Sequence, residues 1–414
     1  MERFAILIFL DYLCIMPNVG ITQKMKPNKQ LKTMKRALFL FSALFITLSA
    51  VAQEYTTRHQ SLTEPQTLLP VGYIRIVRNE ITLPTINGYT PYKADLHIHS
   101  TLTDGVVNIK GRLEEAWSDG WDVIAATEHM SIRPVADTEG QPTPESVRLK
   151  KSASAVKAVK SATKLAGDFG LLVIPGVELT GDAKTQGHFN ALFTTDNSVI
   201  YDYDAMQSIR NARAQGALIM HNHPGWRHAT LDMTKFEEAV YAEGLVDGIE
   251  LMNGAYFYPG AFNTAAKHKL FMTSNTDIHA ISAQQYRQNG HLRNMTLIFA
   301  KECTLESIRE ALEAHRTLCY SFGTIGGDEK LLKQFFEASV TIKKLSVDKK
   351  KKSQRVMLTN NTSLPYTLRI GKTSPVILRP HSSTIIPVKV GKPIECTVLN
   401  MWYGAGEHPT VSLK

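Results

Sequence analysis

Two histidines separated by a single residue begin the stretch of this sequence that is best suited to chemistry. The run D-L-H-I-H-S at 95–100 is followed closely by T-D-G at 103–105. If the run is a strand, His97 and His99 point to the same face, because successive side chains alternate. Paired imidazoles are good ligands for transition metals, and Asp104 adds a carboxylate in the following turn. By itself this pattern leaves a metal site and ordinary core histidines equally open.

Histidines and carboxylates recur downstream where short apolar runs begin or end. The runs in question are 122–127, 171–177, 189–193, 217–221 and 270–274. A single histidine of this kind is more often a surface or core residue. In an α/β barrel, however, the carboxyl ends of all the strands lie around one common mouth. The spacing therefore predicts a metal site at that mouth, with candidate ligands His97, His99, Asp104, His129, Glu178, His188, His223, Asp277 and His279.

Strand-like and helical stretches alternate from Lys93 to Gly326, and these elements must position the candidate ligands. Further strands are predicted at 247–252 and 295–300, and helices at 111–118, 146–168, 203–215, 233–243, 261–268 and 304–315. Strands that alternate with helices favour a parallel sheet, and a series of this length favours an α/β barrel. A proline-rich segment at 133–144 is predicted to be a long loop over one face.

The ordered motifs D-L-H-x-H-S, T-D-G, T-E-H, G-x-E, a lone histidine, H-P and D-x-H resemble those of the PHP (polymerase and histidinol phosphatase) family. The resemblance covers 93–326 and implies a distorted (β/α)7 barrel that holds two or three divalent metal ions. Glu128 stands where the family commonly has aspartate, at a position that is not a ligand. The resemblance implies a first metal on His97, His99, Glu178 and Asp277, a second on Glu178, His188 and His223, and a third on Asp104, His129 and His279.

The ligand types constrain the metal and its chemistry. Imidazoles and carboxylates without thiolates suit Zn²⁺, Mn²⁺ and Fe²⁺ alike. A carboxylate shared by two metals, as implied for Glu178, is typical of two-metal hydrolases with ions about 3.5–4 Å apart. We therefore expect a metal-activated hydroxide to attack phosphorus, with Asp277 orienting or deprotonating the attacking water.

Other residues near the motifs are candidates for handling the substrate. Arg227 and Arg293 are predicted to hold phosphoryl oxygens, although both could be ordinary surface arginines. His221 and His228 are candidates for protonating the leaving alkoxide. The aromatic residues Trp226, Tyr256, Phe257 and Tyr258 either line a substrate pocket or serve only in packing.

The first 52 residues have the features of an export signal. Met34-Lys35-Arg36 precedes an apolar run and an A-x-A site, which predicts a start at Met34, cleavage after Ala52 and a periplasmic or secreted protein. A membrane anchor is the alternative. The segment carries seven of the 47 basic residues and two of the 38 acidic ones, so its removal lowers the formal charge from +9 to +4. That remainder does not indicate a stable nucleic-acid partner.

The rest of the chain divides into an N-terminal arm at 53–92, a helix and lysine-rich linker at 327–354, and a small antiparallel β-sandwich-like domain at 355–414. The predicted strands of this last domain are 355–359, 366–370, 376–378, 384–389 and 394–399. Only Cys303, Cys319 and Cys396 follow the cleavage site, without C-x-x-C spacing, so neither a disulfide framework nor a cysteine zinc site is indicated.

These observations lead to one main functional hypothesis and two alternatives. The main hypothesis is an exported metal-dependent phosphoesterase of small phosphodiesters or phosphomonoesters, most similar to the secreted phosphodiesterase branch of the family. A periplasmic nuclease-like exophosphodiesterase is the first alternative. A non-catalytic surface binding protein, stabilised by its metals, is the second. The oligomeric state is left open, and no membrane span is expected in the mature protein.

Overall fold

The structure is a computed structural model that describes residues 77–227, 232–350 and 352–413. The predicted export signal and His228 lie outside the described residues, as does most of the strand-like piece 72–77. Within the described ranges we find no helix whose length and hydropathy would let it span a bilayer.

Strands and helices alternate through the first two thirds of the described chain, and strands dominate the last part. The strands are β1 Thr90–Asp95, β2 Val123–Ala126, β3 His129–Ser131, β4 Leu172–Thr180, β5 His188–Leu192, β6 Leu218–His221, β7 Val246–Asn253, β8 Tyr256–Phe257, β9 Phe271–Asn275, β10 Met295–Ala300, β11 Thr317–Ser321, β12 Thr324–Gly327, β13 Val340–Asp348, β14 Ser353–Asn360, β15 Tyr366–Ile370, β16 Val376–Leu378, β17 Ser383–Lys389, β18 Ile394–Val398, β19 Met401–Trp402 and β20 Thr410–Leu413. The helices are α1 Ile109–Asp119, α2 Glu145–Ala166, α3 Ala205–Ala214, α4 Lys235–Ala242, α5 Ala261–His268, α6 Ser282–Gln285, α7 Leu305–Glu313 and α8 Glu329–Ser339.

Local sequence explains most of these elements. The run V-I-A-A of β2 is buried along its whole length, as expected for a strand covered on both faces. Helix α1 begins after Asn108, whose side chain accepts a hydrogen bond from the backbone of Gly111, and ends at Gly120 in the left-handed conformation. Helix α4 begins with a capping box formed by Thr234 and Glu237.

The main sheet follows the order β19-β12-β11-β10-β1-β2-β4-β5-β6-β7-β8, with β3 beside β4 and β9 beside β7. The expectation of a parallel sheet was wrong in part, because β4, β5 and β6 pair antiparallel. The link between β4 and β5 is too short to hold a crossover helix, so the second strand must run back along the first. The α/β barrel with its distortion is nevertheless confirmed as the fold.

The sheet curls so that strands from its two ends meet beside β9. Ser274 of β9 donates from its backbone to Thr296 of β10 (2.9 Å) and from its hydroxyl to the carbonyl of Tyr320 on β11 (2.8 Å). Beyond the strands, an isolated bridge joins Ile98 to Ile278. The curl therefore brings the H-x-H segment after β1 beside the D-x-H segment after β9.

The C-terminal β-domain begins directly after helix α8. Two sheets form it, β13-β14-β17 and β16-β15-β18-β20. Residues 340–348, expected within a linker, form strand β13, and Lys349, Lys350 and Lys352 lie at the turn into β14. The alternation of V-T-I-K-K-L-S-V is partly exposed and charged, which hid this strand from the sequence analysis. Strand β19 leaves the domain to pair with β12 of the main sheet.

The described part of the N-terminal arm, 77–92, ties the two domains together. Arg78 forms an ion pair with Asp122 at 2.8 Å, below the barrel strands. Thr82 exchanges hydrogen bonds with Ser363 of the β-domain at 2.9 and 3.0 Å. The arm therefore serves in packing between domains.

Candidate metal centre

Glu178, at the mouth end of β4, is the carboxylate around which the site is built. Its side chain is buried, and its Oε1 lies 3.3 Å from His97 Nε2 and 3.1 Å from His188 Nδ1. Its Oε2 contacts His129 Nδ1. A fully buried carboxylate costs several kcal/mol of desolvation unless positive charge compensates it. Glu178 is therefore positioned to be shared between cations or protonated imidazoles.

Asp277 faces Glu178 across the histidines. Its Oδ1 lies 3.0 Å from His99 Nε2 and 3.3 Å from His97 Nε2, and its Oδ2 lies 3.8 Å from His223 Nε2. The backbone of Asp277 adopts φ of +50°, a conformation that favours glycine, and its N–H donates to the carbonyl of His97. Non-glycine residues held in this region cluster at functional sites.

A third group lies nearer to solvent. Asp104 Oδ2 is 3.3 Å from His129 Nε2, and Asp104 Oδ1 is 3.2 Å from His279 Nε2. The ring of His99 contacts those of both His129 and His279, with centroids 4.1 and 4.4 Å away. Asp104 is the most exposed member, at 57%. This outer group is therefore the one that incoming molecules reach first.

The structure brings all the predicted ligands together into four overlapping groups in which the ligand atoms lie within 4.8 Å of one another. These groups are His99 with Asp104, His129 and His279; His97 with His99 and Glu178; His97 with His223 and Asp277; and Glu178 with His188 and His223. His97 Nε2, both ring nitrogens of His99 and His188 Nε2 are buried without a hydrogen-bond partner. Buried polar atoms are rarely left unpaired, so these nitrogens fit the ligation of metal ions.

The charges of the site compensate one another strongly. Burial opposes the charged form of each group, but Asp277, Glu250 and Glu178 raise the pKa of His97 well above its usual value. Burial also opposes the charged form of His129, but the charges of Glu178 and Asp104 raise its pKa to about 9. At His99 the effect of burial prevails over that of Asp277 and Glu178, and the pKa is lowered. Despite burial, the histidines lower the pKa of Glu178 and of Asp277 well below the usual range. Without metals, protons take the place of the missing positive charge.

Glu250 on β7 is a functional residue that the sequence analysis missed. It is fully buried, and its Oε1 accepts a hydrogen bond from His97 Nδ1 at 3.0 Å. Its Oε2 accepts from the backbone of His223 at 2.6 Å and from the Asn253 side chain at 2.8 Å. Because Nδ1 of His97 is engaged, Nε2 is directed at the metal groups. A glutamate inside the apolar run I-E-L-M was the signal that could have revealed it.

Two further polar side chains fix the orientation of Glu178 and His129. Asn222 donates to Glu178 Oε1 at 3.1 Å and to Asn190 at 2.9 Å. Thr180 Oγ1 lies 2.7 Å from His129 Nδ1. Asn222 directly follows strand β6 and Thr180 is the last residue of β4, but nothing in their spacing marks them as polar support for a metal centre.

His221 does not face the site, so the prediction that it protonates the leaving group was wrong. Its Nε2 donates to Glu237 at 3.0 Å, its Nδ1 hydrogen-bonds with the Tyr241 hydroxyl at 3.1 Å, and its ring stacks on Phe189. Strand β6 ends at His221, and His223 has φ of +27°. The two histidines therefore do not share a face, although they are two residues apart.

Arg293 is also placed away from the substrate, which corrects its predicted role. It is 2% exposed, forms ion pairs with Asp95 at 2.7 Å and Asp119 at 3.4 Å, and lies over the ring of Trp121. Asp95 in turn accepts hydrogen bonds from the backbone and hydroxyl of Thr276. Arg293 therefore forms a structural ion pair with Asp95, and Asp95 in turn holds the loop before Asp277 through Thr276.

We expect Arg293→Met to destabilise the fold by about 3–5 kcal/mol, because Asp95 would be left as an unpaired buried charge. Urea denaturation of the variant and the parent protein at fixed metal concentration measures the loss. Arg287→Met is the matched control: Arg287 is exposed and 3.9 Å from Asp119, so its loss should cost less than about 1 kcal/mol. If Arg293→Met were as stable as the parent protein but bound phosphate more weakly, Arg293 would be a substrate-binding residue after all.

Arg227 and the candidate aromatic residues occupy different parts of the mouth. The guanidinium of Arg227 is exposed and stacks on Trp226 at 4.4 Å, and Trp226 lies 5.1 Å from His223 and 5.5 Å from His188. Phe257, in contrast, packs against Phe262 and Trp402 on the back of its hairpin, so for this residue the packing alternative applies. The role of Arg227 in binding phosphate stays a prediction.

Comparisons with known proteins find the following similarities. A two-domain protein from Bacteroides vulgatus, containing a predicted PHP-like metal-dependent phosphoesterase, is 30% identical with a TM-score of 0.71, over 83% of this chain and 99% of that one. An amidohydrolase from Chromobacterium violaceum gives 14% and 0.33 over 46% and 88%. The lesion-specific endonuclease Q from Pyrococcus furiosus gives 18% and 0.36 over 57% and 59%. The DUF5001 family of Ig-like domains matches residues 340–414. A search of the curated proteins finds no match.

Proposed function

The chain belongs to the PHP family of metal-dependent phosphoesterases, and on this premise we propose that its metal centre hydrolyses small phosphate esters outside the cytoplasm. The observation that carries the proposal is the set of buried imidazole nitrogens without hydrogen-bond partners, which surround the two ionised carboxylates Glu178 and Asp277. Such a donor set without thiolates suits two or three ions of zinc, manganese or iron.

The ligands divide the work between holding metals and meeting the substrate. Glu178, His97, His99, His188 and His223 form the buried part of the centre, and Asp104, His129 and His279 form its outer part. These residues would hold cations, whose chemistry when bound would be to polarise a phosphoryl oxygen and lower the pKa of a water molecule. Glu250 fixes the ring of His97 so that only one of its nitrogens faces the cations.

Asp277 is the carboxylate best placed to orient the attacking water. Its side chain is 21% accessible, whereas that of Glu178 is 1% accessible. Despite burial, His97, His99 and His223 lower its pKa strongly, so Asp277 is ionised and able to accept a hydrogen bond from water. In this position the carboxylate would orient or deprotonate the attacking water.

Small esters in an extracytoplasmic compartment are the proposed substrates. Arg227, exposed at the rim beside Trp226, is available to meet a phosphoryl oxygen. The signal-like segment at 34–52 supports export, and a charge of +4 without it gives little attraction for long nucleic acids.

Turnover of chromogenic esters tests the proposal. The purified protein, loaded in turn with Mn²⁺, Zn²⁺ and Fe²⁺, is assayed with p-nitrophenyl phosphate and bis(p-nitrophenyl) phosphate. We expect metal-dependent hydrolysis of at least one of them and a large loss of kcat in Asp277→Asn. Arg287→Met, which changes a surface arginine far from the ligands, is the control that should keep parental activity.

Two results would contradict the proposal. If no metal supports turnover of either ester, a binding protein with a structural metal centre is the better interpretation. If a single-stranded oligonucleotide is degraded much faster than both small esters, the nuclease-like alternative replaces the small-ester function.

A further inference from the structure

The hairpin formed by β7 and β8 carries two tyrosines beside the metal centre. In its register Asn253 lies opposite Tyr256 and Met252 lies opposite Phe257. Directly opposed residues of an antiparallel pair place their side chains on the same face. The Asn253 amide donates to Glu250, which contacts His97, so the face that Tyr256 shares is the one turned to the site.

Tyr258 lies on this face too. It is two residues beyond Tyr256, and its backbone N–H donates to the carbonyl of Leu251 as the hairpin continues. The two tyrosine rings are nearly parallel, 6.5 Å apart at 23°. Burial, followed by the charges of Glu250, Tyr256 and Asp277, raises the pKa of Tyr258, which is consistent with a hydroxyl near the carboxylates of the site.

The opposite face of the hairpin rests on the C-terminal domain. Phe257 packs edge-on against Trp402, with ring centroids 5.4 Å apart. Trp402 belongs to β19, which pairs with β12 so that Gly326 lies beside Trp402. A Cβ on Gly326 would come within 2.5 Å of the Leu251 side chain, so β12 and β19 lie close behind β7.

We propose that Tyr256 and Tyr258 form a subsite for an aromatic group carried by the phosphate ester, held in position by Trp402 of the C-terminal domain. The proposal rests on the phosphoesterase function proposed above and specifies the substrate class of the same site. The Tyr256 side chain is 64% exposed, which is unusual for a large aromatic residue on a hairpin that packs against another domain. Stacking of an aryl ring on it would bury that surface.

Trp402 is a positioning residue in this scheme, since the part of the hairpin that it contacts is the back. Its removal would take away one of the two rings against which Phe257 packs, leaving Phe262, and would allow the β7–β8 turn to shift, which moves Tyr256 without altering any metal ligand. The C-terminal domain would then influence substrate choice while leaving phosphoryl chemistry to the barrel.

Binding of two phosphonates, which are not hydrolysed, tests the subsite separately from turnover. Calorimetry compares phenylphosphonate with methylphosphonate on the metal-loaded protein. We expect the parent to prefer the phenyl compound by about tenfold, which corresponds to burial of one aryl face. The preference should fall to about twofold or less in Tyr256→Ala and in Trp402→Ala, with methylphosphonate affinity nearly unchanged.

Phe336→Leu is the control for a general loss of stability. Phe336 on α8 packs edge-on against Tyr366 of the β-domain, away from the hairpin, so its variant should unfold more readily but keep the phenyl preference.

Equal affinities of the parent protein for the two phosphonates, or no binding of either compound, overturn the subsite. A loss of preference in Tyr256→Ala but not in folded Trp402→Ala overturns the role of the domain. If Trp402→Ala fails to fold, Trp402→Phe takes its place. A phenyl preference without ester turnover keeps the subsite and refutes only the proposed hydrolysis.

Discussion

Replacing Glu178 by glutamine is expected to lower kcat by at least about 10³-fold, equivalent to roughly 4 kcal/mol of lost transition-state stabilisation. The amide keeps the shape of the side chain but removes the charge that His97, His129 and His188 share. Two of the buried groups of ligands, His97 with His99 and His188 with His223, therefore lose their common carboxylate. Metal content by mass spectrometry and kcat with p-nitrophenyl esters are the measurements.

Glu250→Gln is the matched comparison, since it changes a second buried glutamate in the same way. Glu250 contacts His97 Nδ1, not the nitrogen that faces the metal groups. Loss of such outer support typically costs about 10–100-fold. If Glu178→Gln retained its metals and more than a tenth of parental activity, Glu178 would not be the shared ligand of this centre.

Removing the metals should abolish activity and reverse the pH dependence of stability. In the metal-free protein, Glu178 and then Asp104 raise the pKa of His129 to about 9 in spite of burial. A raised pKa contributes stability that is complete below pH 6.5 and lost as the pH rises through 9. The Tm of the metal-free protein should therefore fall between pH 6.5 and 9. Cations need neutral imidazoles, so the loaded protein should not lose stability over this interval.

Proton release on metal binding provides an independent measurement of the same effect. At pH 7.5 the raised pKa values of His97, His129 and His223 predict that loading releases protons. Calorimetry in two buffers with different ionisation enthalpies counts them. Release of no protons, or a metal-free Tm that rises between pH 6.5 and 9, would contradict the charge balance described for the site. Activity should return when Mn²⁺ or Zn²⁺ is added back after chelation.

Local periodicity was sufficient for several strands and helices of the barrel. The apolar runs at 189–193 and 295–300 correspond closely to β5 and β10, and the helix expected at 261–268 is α5. Runs of this kind are buried on both faces, so composition alone identifies them. Strands β11 and β13 were missed because exposed or mixed residues interrupt the apolar pattern.

The sequence by itself determined which residues can bind metals and that they gather at one end of a barrel, because ligand type and position at strand ends are local properties. Only the tertiary structure decided the partners of each side chain. Arg293 pairs with Asp95, 198 residues away, and His97 with Glu250, 153 residues away. The same holds for Trp402 behind the β7–β8 hairpin. Which charge or ring meets another across such separations depends on how the sheet curls and where the second domain packs, and no spacing within one segment encodes that.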